Sequence, residues 1–217
     1  MPIWNCILQQ NVQVSCSKDS WKWKCSSTGE INFKSSWELV RNSDPQYQFS
    51  NLMWFPSHSP KMAICLLRAL HSKLLTRDFL VSLGISDINT CVLCNSDTES
   101  MHHFFFVCPY TAYLWSLFRL KLGILGSIVT LQDEAILIQT KFKRKRKITI
   151  LAKLTLSAVV WHIWKERSHR IFQLQGQHKI MVFHKLYEDI RILLRTCNWK
   201  TDKYKNQPDV LSNWNIQ

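Results

Sequence analysis

Residues 91–108 read CVLCNSDTESMHHFFFVC, and this stretch limits the fold of the chain more than any other. Cys91 and Cys94 have the two-residue gap that lets one tight turn direct both sulfurs at a single ion. Cys108 is a third sulfur, and the fourth donor is His102 or His103, because no other Cys or His lies between. Thiolates and imidazoles are the donors that zinc takes, four at a time in a tetrahedron. If MHHFFF is extended, neighbouring side chains face opposite ways, so only one of the two histidines can readily serve the ion. His103 leaves four residues before Cys108 and His102 leaves five; the shorter gap is the one found in retroviral-type knuckles, and spacing prefers His103. Cys108 immediately precedes Pro109 and is expected at the N-cap of the next helix, where free N–H groups favour a thiolate. Catalytic zinc ordinarily keeps an open position with three protein ligands, whereas four donors close the shell. The expected role is architectural, with no catalytic residues.

Composition agrees with an intracellular metal site. The N-terminus MPIWNCILQQNVQVSC shows no secretory signal, and eight cysteines without one point to a reducing compartment. Hydrophobic residues are 46% and charged residues 20%, as in soluble globular chains. Ten tryptophans against five glycines favour helices and aromatic anchors over a Gly-rich phosphate loop. The net charge of +13 favours an anionic partner, nucleic acid before membrane. The most apolar run, ITILAKLTLSAVVWHIW at 148–164, contains Lys153 and His162 and is expected to be a buried amphipathic helix, not a membrane span.

Periodicity predicts a mainly α chain with a small N-terminal β-hairpin, its helices flanking a zinc-knuckle-like loop with two Cys, one His and a final Cys. Residues 1–42 are read as a strand unit and a short helix. WKWKC and EINFK alternate with period two about an SSTG turn, and Ser35 stands three residues before Glu38 in capping-box spacing. Residues 43–60, with three prolines, form an irregular connection. A zinc-binding helical domain spans 61–123, with Gly84 and Gly123 as helix stops. A connection carrying a basic run follows at 124–147, then a helical segment at 148–197 and a loose polar tail at 198–217.

The stretch CVLCNSDTESMHHFFFVCPYTAYLW resembles the reverse-transcriptase zinc-binding domain of plant non-long-terminal-repeat (LINE-type) retroelements. That family carries Cys-x-x-Cys, then Glu-Thr-x-x-His-Leu-Phe, then Cys-Pro and a Trp in the following helix. Glu99 holds the Glu position, so the resemblance places the ligand histidine at His103; Ser100 stands for the usual Thr and Phe104 for the usual Leu. The resemblance implies Cys91, Cys94, His103 and Cys108 as ligands of a structural Zn²⁺ and Trp115 as a packing residue. It extends upstream through SWKWKCSSTGEINFKSSWELV and the MWFP…LTRDFLVSLGI helices. Downstream, VVWHIWKERSHRIF is similar to the family's Ile-Trp-Lys-Glu-Arg-Asn-x-Arg-Ile-Phe helix, with Ser168 in place of Asn.

Polymerase, RNase H and endonuclease chemistry each need clustered carboxylates around metal ions. The chain has neither a Tyr-x-Asp-Asp motif nor an Asp-Asp pair, and its densest acidic places read as solvated surface, among them Glu188 and Asp189. KFKRKRK at 141–147 holds six basic residues in seven. Lys141, Lys143, Arg144, Lys145, Arg146 and Lys147 are the candidate phosphate contacts and also read as a nuclear-import signal. Phe104, Phe105, Phe106 and Tyr110 are candidate base-stacking rings, with packing the simpler role for each. The expected function is a non-catalytic zinc-binding module of retroelement origin that binds RNA or DNA in the nucleus, without membrane or small-molecule partners. The rivals are a zinc-stabilised protein-interaction module and an element fragment with no selected role.

Overall fold

The computed structural model describes residues 21–41, 46–126, 130–143, 147–196 and 214. The chain divides into two units, Met1–Gln46 and Tyr47–Gln217.

In the first unit, the alternating segments do not pair as strands. Trp23 N–H donates to the Gly29 carbonyl at 2.7 Å, and Gly29, at φ 75°, closes a turn without a ladder beyond it. Two effects override the period-two pattern. Asn32 accepts from Ser35 N–H at 2.8 Å and caps helix α1 (Phe33–Val40), so the second expected strand turns helical at its fourth residue. A lone hairpin is also marginal without a third strand or a packed face. The expected β-hairpin is therefore replaced by a turn and a helix, and no strand occurs among the described residues. The cap is Asn32, not Ser35, whose hydroxyl accepts instead from Trp23 Nε1 at 2.9 Å.

Among the described residues, the regular elements of the second unit are helices: α2 (Ser50–Met53), α3 (Pro60–Leu70), α4 (Arg77–Ser82), a π-helical turn (His103–Val107), α5 (Pro109–Lys121), α6 (Leu131–Lys141), α7 (Lys147–Phe172) and α8 (Lys179–Thr196). Its centre is α7. Residues 154–160 are all buried, and apolar side chains occur all round the helix, as befits one packed on several sides at once. Thr155 and Ser157 are accommodated there by donating to carbonyls one turn back, at 2.8 and 3.1 Å. α7 is long and apolar enough to cross a membrane by length and composition, yet 72% of its most apolar window is buried within the fold. α3 and α8 make its most extensive contacts. Residues 46–60, read from sequence as a connection, contribute Phe49, Leu52, Met53 and Phe55 to the core. Trp214, within the expected tail, is fully buried, stacks on Phe118 and Tyr187, and donates to the Lys121 carbonyl at 3.3 Å. The rest of that tail, 198–217, lies outside the described residues.

One contact between α7 and α8 makes stability depend on pH. His162 is buried, with Nε2 3.0 Å from Oδ2 of Asp189, whose side chain remains about half exposed at the surface. Burial lowers the His162 pKa below its usual range, assisted by Lys165 and Lys61 and opposed by Asp189. The unfolded chain therefore takes up this proton at about pH 6.5, before the folded protein does. The contribution is complete above about pH 6.5 and is lost as pH falls toward the lower folded value, by at most about 1.4 kcal/mol per pH unit. Urea-unfolding midpoints taken from pH 7.5 to 5.5 are expected to fall less steeply in His162→Gln than in the parent. Parallel profiles would exclude this residue as the source.

Candidate metal centre

The site is built by two local devices. The first is the Cys91–Cys94 turn. Cys91 N–H donates to the Asp97 carbonyl at 2.7 Å, Asn95 N–H donates back to Cys91 O at 2.8 Å, and Glu99 N–H reaches Asn89 O at 2.7 Å. Asn95 takes the left-handed φ of 57° that the reversal requires, a conformation Asn tolerates better than most residues. Amides of Leu93 and Cys94 point at the Cys91 sulfur.

The second device is the π-helical turn. Ser100 Oγ accepts from His103 N–H at 3.1 Å, and Cys108 N–H closes the wide turn onto His103 O at 2.8 Å. Pro109 then fixes the first residue of α5 with Cys108 at its N-cap. MHHFFF is thus helical, not extended. Adjacent histidines still diverge: His103 is buried, while His102 is exposed and lies beside Phe106 at 6.5 Å.

These devices bring Cys91, Cys94, His103 and Cys108 together, with all four donor atoms within 4.8 Å of one another. Cys91 Sγ and Cys108 Sγ are 4.0 Å apart, and Cys94 Sγ is 3.3 Å from His103 Nε2. A tetrahedron with arms of about 2.3 Å has edges of about 3.8 Å, so the separations suit zinc and are far too long for a disulfide. The electrostatics also fit. Cys108 is held below the usual thiol range chiefly by the Cys91 thiol donating to it, aided by amides of Thr111 and Tyr110. Cys91 is raised by that same contact and by burial, so Cys108 gives up its proton first, as its N-cap position predicts. Asp97 Oδ2 lies 3.4 Å from His103 Nδ1, within ion-pair reach though without hydrogen-bond geometry. A carboxylate behind a ligating imidazole fixes which ring nitrogen faces the metal. Cys65 is buried away from the cluster with its thiol pushed up to about 12, and Cys25 is exposed.

Residues 32–115 match the family described as zinc-binding in reverse transcriptase. This stretch is a reverse-transcriptase zinc-binding domain. No curated protein and no solved structure matches the chain.

The zinc-binding domain is held from outside the matched stretch, by the C-terminal part of α7. Glu99 is fully buried, and its Oε1 accepts from Arg167 Nε and Nη2 at 3.0 and 2.8 Å and from Arg77 N–H at 3.0 Å. Arg170 donates to the carbonyls of Val92 and Leu93, inside the Cys-x-x-Cys turn, at 3.2 and 3.1 Å. Arg170 also lies over the Tyr110 ring and bonds Glu166 Oε1 at 2.8 Å. Glu166 holds Gln177 N–H at 2.7 Å, while the Gln177 carbonyl accepts from the Tyr110 hydroxyl at 2.8 Å. Sequence reasoning missed this clamp. Glu99 stands among polar residues in the sequence, so its burial, and with it the need for a cationic partner, was not legible there.

The expected aromatic and basic residues fall out differently. Phe104 and Phe105 are fully buried and Tyr110 nearly so, whereas Phe106 is partly buried against the core. Lys141 ends α6 with Nζ 2.6 Å from Gly123 O, Phe142 is buried, Lys143 is exposed and Lys147 opens α7. Arg144, Lys145 and Arg146 lie outside the described residues.

Proposed function

We propose that this zinc-binding domain is a non-catalytic scaffold that holds RNA or DNA through the phosphate backbone, in a protein descended from a plant LINE-type retroelement polyprotein. The observation that carries the reading is the closed donor set: three sulfurs and one buried imidazole surround one position, and α7 is bolted to the loop through Glu99–Arg167. Zinc held there would supply a fixed, redox-silent cross-link, and Cys91, Cys94, His103 and Cys108 would hold it. Phosphate contacts are assigned to Lys141, Lys143, Arg144, Lys145, Arg146 and Lys147, with Phe142 anchoring the run to the core. The same run would serve nuclear import.

Filter binding of single-stranded RNA across a salt series tests this. Six contacts to a single strand give a slope of about −4 in log K against log salt. Replacing the six basic residues by Ser and Gly should flatten that slope while zinc stays at one ion per chain. Loss of zinc along with the slope would show that the two features are not separate. A second reading, a protein-docking module, draws on the exposed apolar residues Phe79, Leu83, Ile85 and Ile88 in and after α4. Absent or salt-independent RNA binding would favour it.

A further inference from the structure

Between the C-terminal half of α7 and the facing part of α8, the seam is polar and open instead of closed by apolar side chains. The two helices run antiparallel there, with His162 opposite Asp189 and Glu166 opposite Gln177. His162, Lys165, Glu166 and His169 recur along α7 at the spacing of one helix face, and Lys185 and Asp189 stand one turn apart on α8. They line a cleft of about 510 Å³, open to solvent and within the size range of small-ligand sites. Neither the zinc ligands nor the basic run takes part in it.

The occupant's chemistry follows from charge. Each carboxylate of the cleft already has a partner. Glu166 accepts from Arg170 and from Gln177 N–H at 2.8 and 2.7 Å, Asp189 is held by His162 at 3.0 Å, and both oxygens of Glu188 accept from Arg191 at 2.9 and 3.1 Å. The lysines have none. Lys165 and Lys185 are exposed and make no ion pair or hydrogen bond with a described residue, and neither do the rings of His169 and His184. Four side-chain cations, Lys165, Lys185, Arg170 and Arg191, thus stand against three carboxylates even with every histidine neutral. Lys165 and Lys61 lie close enough to His162 to oppose its protonation, so positive charge converges on that end of the cleft. What the walls still offer is donors, three N–H on each ammonium and a ring nitrogen on each imidazole, from both helices. A phosphate group, with several oxygens and up to two charges near neutral pH, can accept from both helices at once, and lysine is a common phosphate ligand.

We propose that the cleft between α7 and α8 is a phosphate-binding site, which takes a phosphate monoester between Lys165 on one helix and Lys185 on the other while His169 and His184 donate to the remaining oxygens. The site does not depend on the nucleic-acid reading above, because its phosphate can belong to a small molecule as well as to the end of a strand.

The test titrates the zinc-loaded full chain with inorganic phosphate at constant ionic strength and follows the ring C–H signals of His162, His169 and His184 by proton NMR. Saturable shifts of the His169 and His184 signals are expected. Lys165→Gln with Lys185→Gln should weaken the response about tenfold, which two partly exposed charge contacts can supply. Both lysines are exposed, so the urea midpoint should not move. Lys24→Gln with Lys73→Gln removes the same charge from exposed lysines elsewhere and should leave the response unchanged. Equal weakening by the two pairs, or shifts no larger than chloride gives, would overturn the site. Signals that broaden with Mn²⁺ and ignore phosphate would mark a cation site and overturn it too. A 5′-phosphorylated and a 5′-hydroxyl oligouridylate then identify the source. Tighter binding of the first, lost in the Lys165 and Lys185 double variant, assigns the cleft to a strand end. Equal binding of the two strands beside a retained phosphate response assigns it to a small phosphate compound.

Discussion

Treatment with excess EDTA is expected to unfold residues 89–108 while α3 and α7 stay folded. The part of the loop before the π-helical turn has little apolar content of its own to close it: of residues 89–100 only Cys91, Leu93 and Glu99 are buried, and the reversal is held by a few backbone hydrogen bonds and one isolated bridge between Thr90 and Thr98. Without the ion, at least two of three crowded thiols must protonate, and the Cys91–Cys108 and Cys94–His103 contacts lose the positive charge that draws them together. Metal binding in structural zinc sites is worth about 10–16 kcal/mol in small peptides, and that free energy is folding free energy. The packed α3–α7–α8 core is independent of the ion, so unfolding should be local. Hydrogen exchange read by mass spectrometry checks this, with protection lost between 89 and 108 and retained between 154 and 160. Cys94→Ala should reproduce the loss without chelator. A loop that stays protected after all metal has been removed would mean that the α7 clamp, not the ion, is what builds it.

Arg167→Ala should cost about 3–5 kcal/mol, more than truncating most side chains of its size. The reason is the charge left behind. Glu99 is fully buried, and without Arg167 its carboxylate keeps only backbone donors, chiefly Arg77 N–H at 3.0 Å and Val92 N–H at 3.5 Å. Removing both charges is a milder change, because a buried pair replaced by neutral groups of similar volume is often near neutral. Arg167→Met with Glu99→Gln should therefore recover most of the loss. Urea unfolding of the two single variants and the double gives the coupling directly. Because Glu99 leads straight into the turn that presents His103, Arg167→Ala should also weaken zinc retention in competition with a chelator, whereas a purely packing role for Arg167 would leave it unchanged. A loss under about 1 kcal/mol would place the pair with surface ion pairs and sink the clamp.

The clustering of Cys91, Cys94, His103 and Cys108 was legible because its determinants are local. Spacing alone put Cys91 and Cys94 on one turn, and the Cys108–Pro109 step marked a helix start, which the structure reproduces at α5. His103 over His102 followed from spacing and from Glu99, although the premise of an extended MHHFFF was incorrect: a π-helical turn separates the two rings instead. Helices with strong periodicity or clear stops, such as α3 before its polar end and α5 before Gly123, were likewise visible. The N-terminal hairpin failed because five alternating residues are a weak pattern, and the Asn32 cap captured the second segment for a helix. Phe49, Leu52 and Met53 were hidden in a proline-flanked stretch whose composition resembles a linker.

By itself the sequence determined which four side chains could meet around an ion, because ligand spacing within eighteen residues is a short-range property of backbone turns. Only the tertiary structure decided what steadies that loop. The partners of Glu99 and of the Val92 and Leu93 carbonyls come from Arg167 and Arg170, about seventy residues later on α7. A buried charge demands a counter-charge but does not say from where in the chain it comes, and only the packing of α7 against the zinc loop supplies the answer.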